Sequence, residues 1–229
     1  MKLPFLFLLI CYILQPFSAS AQKFIYFDNP SFEGPPADAT VPVGWLPCEE
    51  ETTPDILPGF WGVYREASEG TTFVGLITRH DGTWESITQR LSKPLEPEEC
   101  YSFTLDLARS VTYNQYNRPI RLKIWGSGTK CEKRQLLLET DLIRHANWKT
   151  YEVGFYPKDK LNYIIFEAAY PEGIDALPGN ILIDNLSPIK MPPGLNIIRS
   201  EFIYEFKLKV LKSSRITTVN YFFVDSTKK

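Results

Sequence analysis

Tyr101-Ser102-Phe103-Thr104-Leu105-Asp106-Leu107-Ala108 decides the fold class. Large apolar residues stand at every second place, with Ser102, Thr104 and Asp106 between them. Side chains on a strand alternate between two faces, so this pattern reads as a half-buried strand. The alternation recurs on either side. Ile120, Leu122 and Ile124 alternate with Arg121 and Lys123, and Tyr151, Val153 and Phe155 with Glu152 and Gly154. Further strands are expected at 24–27, 72–78, 84–91, 135–140, 163–170 and 180–186. Gly, Pro, Asn and Asp separate them, and no long segment holds a helical apolar period. The chain therefore reads as all-β, with two antiparallel sheets packed as a β-sandwich. Strand spacing is too uneven for an up-and-down barrel, so a jelly roll is expected.

The composition supports one substantial core. The 229 residues are 44% hydrophobic and 14% aromatic. A formal net charge of −2 gives no electrostatic drive toward nucleic acid or an anionic membrane. Residues 1–21 read as a secretory signal peptide. Lys2 is its basic start, 3–14 its apolar run, and Ala19-Ser20-Ala21 its A-x-A cleavage site, leaving Gln22 first. An apolar run of about 12 residues falls short of the ~17–25 that span a bilayer, so the mature chain is expected to hold no membrane span. The expected location is exported: secreted, periplasmic or at the cell surface.

Export permits disulfides. Cys48, Cys100 and Cys131 remain after cleavage, an odd number. Cys100 opens one strand and Cys131 follows the next, which makes that pair the easiest. Three unpaired, mostly buried thiols are the equal alternative. The absence of a CxxC removes zinc and redox readings.

Two segments interrupt the strands. Residues 29–69 are rich in Pro and Gly and hold Trp45 and Trp61. Residues 109–118 form a polar insertion. After residue 190, Pro192-Pro193-Gly194 reads as a linker, and alternation at 202–210 and 216–224 reads as a hairpin. The expected organisation is a signal peptide at 1–21, a jelly roll at 22–190, and a linker with a hairpin-like tail at 191–229. A lone hairpin is marginal in water, so the tail is a candidate for strand pairing with a protein partner.

Enzymatic signatures are sparse. His80 and His145 are far apart, and H-E-x-x-H, G-x-S-x-G, P-loop and EF-hand patterns are missing. His80-Asp81-Gly82 reads as a turn. A catalytic carboxylate pair is defined by separation in space, so a polysaccharide lyase or hydrolase stays open as an alternative. Asp184, in the last strand, shares a face with Leu182 and Leu186. If that face is the core, the carboxylate must be paired, hydrogen-bonded or metal-bound. Glu33 follows an apolar Phe32 after the first strand. Two carboxylates with backbone carbonyls suit Ca²⁺, and the alternative is that Asp184 caps a loop through backbone N–H groups.

Several ordered motifs carry a resemblance. They are Asn29-Pro30-Ser31-Phe32-Glu33, Trp45, W-x-x-x-x-Q-x-L from Trp84 to Leu91, C-Y-x-F from Cys100 to Phe103, W-x-x-Y from Trp148 to Tyr151, and I-x-I-D-N from Ile181 to Asn185. In this order they resemble the galactose-binding-like jelly rolls, above all carbohydrate-binding modules for xylan and glucan. They are also similar to N-terminal domains of exported surface proteins of gliding bacteria. The resemblance spans about 23–189 and implies a structural Ca²⁺ near the N-terminal strand, with Glu33 and Asp184 as ligands. The chain departs from the pattern at Asn185, where members often carry a second Asp, and in its tail, which matches no sorting domain.

Such domains bind sugars on aromatic platforms flanked by polar side chains. The candidates here are Trp61, Tyr64, Arg79, Asp81, Tyr113, Asn114, Tyr116 and Asn117. Trp84, Trp125 and Trp148 lie in strand patterns and read as core. The expected function is a non-catalytic carbohydrate-binding module for glycan or cell-surface polysaccharide. The alternatives are a surface adhesion module contacting protein, and a polysaccharide lyase or hydrolase.

Overall fold

A computed structural model of the chain describes residues 23–174 and 176–191; the expected signal peptide and the hairpin-like tail lie outside them. Thirteen strands follow in order: β1 (Phe24–Ile25), β2 (Leu46–Pro47), β3 (Asp55–Leu57), β4 (Phe73–Thr78), β5 (Ser86–Leu95), β6 (Tyr101–Ala108), β7 (Arg118–Pro119), β8 (Arg121–Ser127), β9 (Gln135–Glu139), β10 (Lys149–Phe155), β11 (Leu161–Ala169), β12 (Gly179–Asp184) and β13 (Ile189–Lys190). Among the described residues there is no helix. The strands form an eight-stranded and a five-stranded sheet, the latter in the order β2-β5-β11-β8-β9.

The opening octapeptide is β6, an axis of the larger sheet. One edge pairs with β10 from Lys149↔Leu107 to Phe155↔Tyr101, and the other with β12 and β13. Beyond β12 come β4 and β3, while β1 lies against β13. All ladders are antiparallel except the short β7–β12 pair. The expected all-β sandwich is therefore the fold.

The main core lies between the sheets. Phe103, Leu105 and Leu107 of β6 meet Leu122 and Ile124 of β8 and Ile164 and Phe166 of β11 there. Trp45, from the Pro- and Gly-rich segment, is also a core residue. Its ring lies 5.1 Å from Phe32, 5.3 Å from Phe166 and 6.2 Å from Phe27. The Asn29 side chain builds the turn that drops Phe32 inward. It accepts from Glu33 N–H at 2.7 Å and donates to the Glu33 and Val43 carbonyls at 3.0 Å.

A second apolar cluster lies on the outer face of the larger sheet. Leu57, Phe73, Ile77, Ala108 and Leu182 point away from the main core, and Val63 and Tyr113 cover them. Both long segments thus fold over this face. This also locates Asp184. Ile181 and Ile183 face the core, whereas Leu182 and Asp184 face outward and are buried by the overlying segment.

Three expectations are corrected. Cys131 pairs with Cys48, not Cys100, and Cys100 is free. The loop after β8 reaches back across β11, where Lys133 engages Glu167, to meet residue 48 just past β2, a closeness that strand order alone does not reveal. Trp84, Trp125 and Trp148 are half-buried rather than core. Tyr113, placed by its polar neighbours in a ligand-facing loop, is 1% exposed because the insertion folds it onto β4. Gly75 makes room for it. A Cβ there would stand 2.9 Å from Leu57 Cδ1 and 3.3 Å from Tyr113 Cε2.

Candidate functional site

Four of the eight expected ligand residues share one pocket on the outer face of the larger sheet. Trp61, Arg79, Tyr113 and Tyr116 line a volume of about 160 Å³ together with Asp38, Ala39, Thr53, Asp55 and Ile77. Tyr116 stands nearly perpendicular to both neighbouring rings, at 79° to Trp61 and 88° to Tyr113. Trp61 donates its indole N–H to Asp38 Oδ1 at 2.7 Å. Tyr113 donates its hydroxyl to Asp55 Oδ2. Behind them Arg79 pairs with Glu85 at 2.6 Å, and the same guanidinium donates to the Glu51 carbonyl and Thr53 Oγ1.

Burial dominates the electrostatics here. Desolvation pushes Asp55 up to about 6 against the Tyr113 and Ala39 hydrogen bonds, and nearby Asp38 adds to the rise. Desolvation likewise pushes Glu85 up to about 7, opposed by Arg79 and reinforced by Asp55. Tyr113 is raised well above its usual value by burial and then by the Asp55 charge.

The other four candidates lie outside this pocket. Tyr64 is 77% exposed and lines neither pocket described here. Asp81 accepts from Thr83 N–H at 3.0 Å and Thr83 Oγ1 at 2.8 Å, so it builds the turn. Asn114 and Asn117 are exposed, and their backbones shape the insertion: Asn114 N–H donates to the Trp61 carbonyl at 2.8 Å, and the Asn117 carbonyl accepts from Arg109.

A larger groove lies on the other sheet and was not anticipated. Trp84, Arg121, Lys123, Glu139, Glu167 and Tyr170 are among the residues around about 520 Å³ on the outer face of β8, β9 and β11. Alternation explains its polar floor: Leu122 and Ile124 enter the core, so Arg121 and Lys123 face out, and Lys123 sits opposite Glu139 and Glu167 in register. Arg121 pairs with Glu139 at 3.2 Å, and Lys133 bridges Glu49 and Glu167 while lying 5.2 Å from the Trp84 ring centre. Tyr170 meets Trp84 edge-on at 86°. The Trp84 indole N–H and Arg121 Nε are buried without a hydrogen-bond partner among the described residues. Strand alternation at Arg121 and Lys123 was the signal that could have found this surface.

Glu33 and Asp184 flank one loop. Glu33 accepts from Thr71 N–H at 2.9 Å, Thr72 N–H at 3.1 Å and Thr71 Oγ1 at 2.6 Å. Asp184 accepts from Ser68 N–H at 2.7 Å and Glu69 N–H at 3.0 Å. Burial pushes Asp184 up to about 7 despite these bonds, with Asp106 adding to the rise. Gly70 has φ of 67°, and a Cβ there would collide with the Glu33 carboxylate. Asp184 thus caps loop 68–72 through backbone N–H groups, the alternative reading of its carboxylate, and Glu33 holds the same loop from its other end. Their oxygen chemistry fits a hard cation, although among the described residues no group of three or more His, Cys, Asp and Glu gathers.

No protein-family model matches the chain, and no curated protein matches it. Solved structures do. A cyclase from Fischerella sp. TAU is 17% identical over 76% of this chain and 98% of its own, with a TM-score of 0.50. The CBM22-1 xylan-binding domain of Paenibacillus barcinonensis Xyn10C is 12% identical over 76% and 97%, with a TM-score of 0.47. The K3 cleaved adhesin domain of Lys-gingipain from Porphyromonas gingivalis w83 is 13% identical over 75% and 99%, again at 0.47. At 17% identity the likeness to the cyclase is one of fold alone.

Proposed function

We propose that the chain is a non-catalytic carbohydrate-binding module of an exported protein, and that the groove on the five-stranded sheet receives the glycan. The carrying observation is the joint presence there of an aromatic wall, Trp84 with Tyr170, and a floor of ion-paired side chains. Sugar rings pack C–H faces on aromatic surface, and charged groups held by partners bind hydroxyls without leaving a bare charge. The Cys48–Cys131 disulfide fits the export half of this reading, since such bonds persist in oxidising compartments. In affinity electrophoresis against a polysaccharide panel, at least one polysaccharide should retard the chain. Trp84→Ala should weaken that binding about tenfold or more, a loss of ~1.4 kcal/mol. Retention unchanged by the substitution would remove the groove from the reading.

Calcium belongs to the same proposal. Glu33 and Asp184 would hold the ion, and it would pin loop 68–72 rather than take part in chemistry. An ion bound only by the folded state stabilises it by mass action. Millimolar Ca²⁺ should therefore raise the melting temperature by several degrees over chelator, and Glu33→Gln should abolish the difference.

One observation favours the lyase or hydrolase alternative: Asp55 and Glu85 are buried acids held near neutral pH. Release of reducing ends or unsaturated products from any polysaccharide would establish it. The protein-contact alternative rests on the tail, which lies outside the described residues.

A further inference from the structure

We propose that the pocket on the eight-stranded sheet is a receptor for a small organic cation, an alkylammonium group held by an aromatic corner and two carboxylates. This is independent of the glycan reading, which concerns the opposite sheet.

Shape comes first. At about 160 Å³ the pocket is well below the ~300–1,000 Å³ of sites for drug-sized ligands, and it suits a headgroup rather than a glycan segment. Trp61 and Tyr113 each meet Tyr116 edge-on, at ring distances of 6.2 and 6.0 Å. Rings set at right angles turn a corner, and a cation lodged there is attracted wherever it meets a ring face. That arrangement attracts cations rather than neutral groups. The corner is rigid. Tyr113 is locked by its bond to Asp55 and lies on the bare backbone of Gly75. Trp61 is tied through its N–H to Asp38, and its carbonyl accepts from Asn114 N–H.

Charge comes second. Asp38 and Asp55 line the pocket beside one another. The only cation among the lining residues is Arg79, and Glu85 engages it at 2.6 Å. Asp38, Asp55 and Glu85 against Arg79 leave the pocket negative. Neighbouring carboxylates repel unless a positive charge stands between them. An ammonium group relieves that repulsion, whereas a neutral group of the same shape does not.

A pH signature follows. Burial, with Asp38 alongside, holds the Asp55 carboxyl up at about 6; Tyr113, Arg79 and Glu85 are the other titratable or charged groups around it. A cation binds the ionised form, so affinity should rise as pH passes upward through about 6 and fall below it.

The test is calorimetric titration of the full chain with choline, tetramethylammonium and 3,3-dimethylbutan-1-ol, the last a neutral counterpart of choline. Both ammonium ligands should bind. The neutral alcohol should bind about tenfold more weakly or not at all. Asp38→Asn, at an exposed position that should fold normally, should weaken choline about fivefold or more, as should Tyr116→Ala. Choline affinity at pH 5 should be several-fold below that at pH 7.5. Equal binding of alcohol and choline would overturn the proposal. So would a folded sample that binds no ammonium ligand, or Asp38→Asn with unchanged affinity.

Discussion

Replacing Trp45 with alanine is expected to lower the unfolding free energy by about 3–5 kcal/mol, read from urea denaturation followed by tyrosine fluorescence or circular dichroism. Trp45 is 4% exposed and touches three aromatic rings contributed by the N-terminal segment and the centre of the five-stranded sheet. Its removal takes away buried area and leaves a cavity that rigid rings cannot close. It also releases the turn at 29–33, because the indole N–H donates to the Asn29 carbonyl at 3.3 Å. A loss under about 1 kcal/mol would mean that the long segment is not part of the core.

Removing the disulfide should cost about 2–5 kcal/mol, measured as the stability difference between the oxidised chain and Cys48→Ser/Cys131→Ser. The bond closes a loop of 83 residues in sequence, a large constraint on the unfolded chain. A local effect accompanies the global one. Lys133, two residues past Cys131, bridges Glu49 and Glu167 beside Trp84. Freeing that segment loosens one wall of the groove, so glycan affinity should fall in the double variant even at temperatures where it remains folded. Changing Cys100, the free thiol, should leave both quantities nearly unaltered.

These expectations show which parts of the protein were legible in its sequence. Long alternating strands were, because a period of two residues forces one face inward; β6, β8 and β10 fell where the alternation put them. The short strands β2 and β3 were not, since the Pro- and Gly-rich segment that holds them carries no period and is ordered by tertiary contacts. Trp45 shows the cost: its neighbours in sequence are loop-like, and only the fold brings Phe27 and Phe166 to it. Trp84 shows the converse. Its strand pattern suggested burial, but it sits just before the start of β5 on an outer face. The small pocket was half legible. Trp61, Arg79, Tyr113 and Tyr116 were named from their residue types, whereas Asp38 and Asp55 give no local signal and are recognised only once β3 lies beside β4. The disulfide joins residue 48, just past β2, to the loop after β8, with β5 and β11 lying between those strands, so neighbouring strands in sequence pointed to the wrong partner.

The five tryptophans report on separate places: Trp45 on the core, Trp61 on the small pocket, Trp84 on the groove, Trp125 on the outer face of β8 and Trp148 on the cluster over Phe73. The most direct test of the carbohydrate-binding reading is to follow their indole N–H signals by nuclear magnetic resonance during titration with an oligosaccharide from a retarding polysaccharide. The Trp84 signal should shift saturably, while those of Trp45, Trp61 and Trp148 stay in place. A saturable shift of Trp61 with Trp84 unmoved, or no shift in any signal from a folded sample, would contradict a glycan site on the five-stranded sheet.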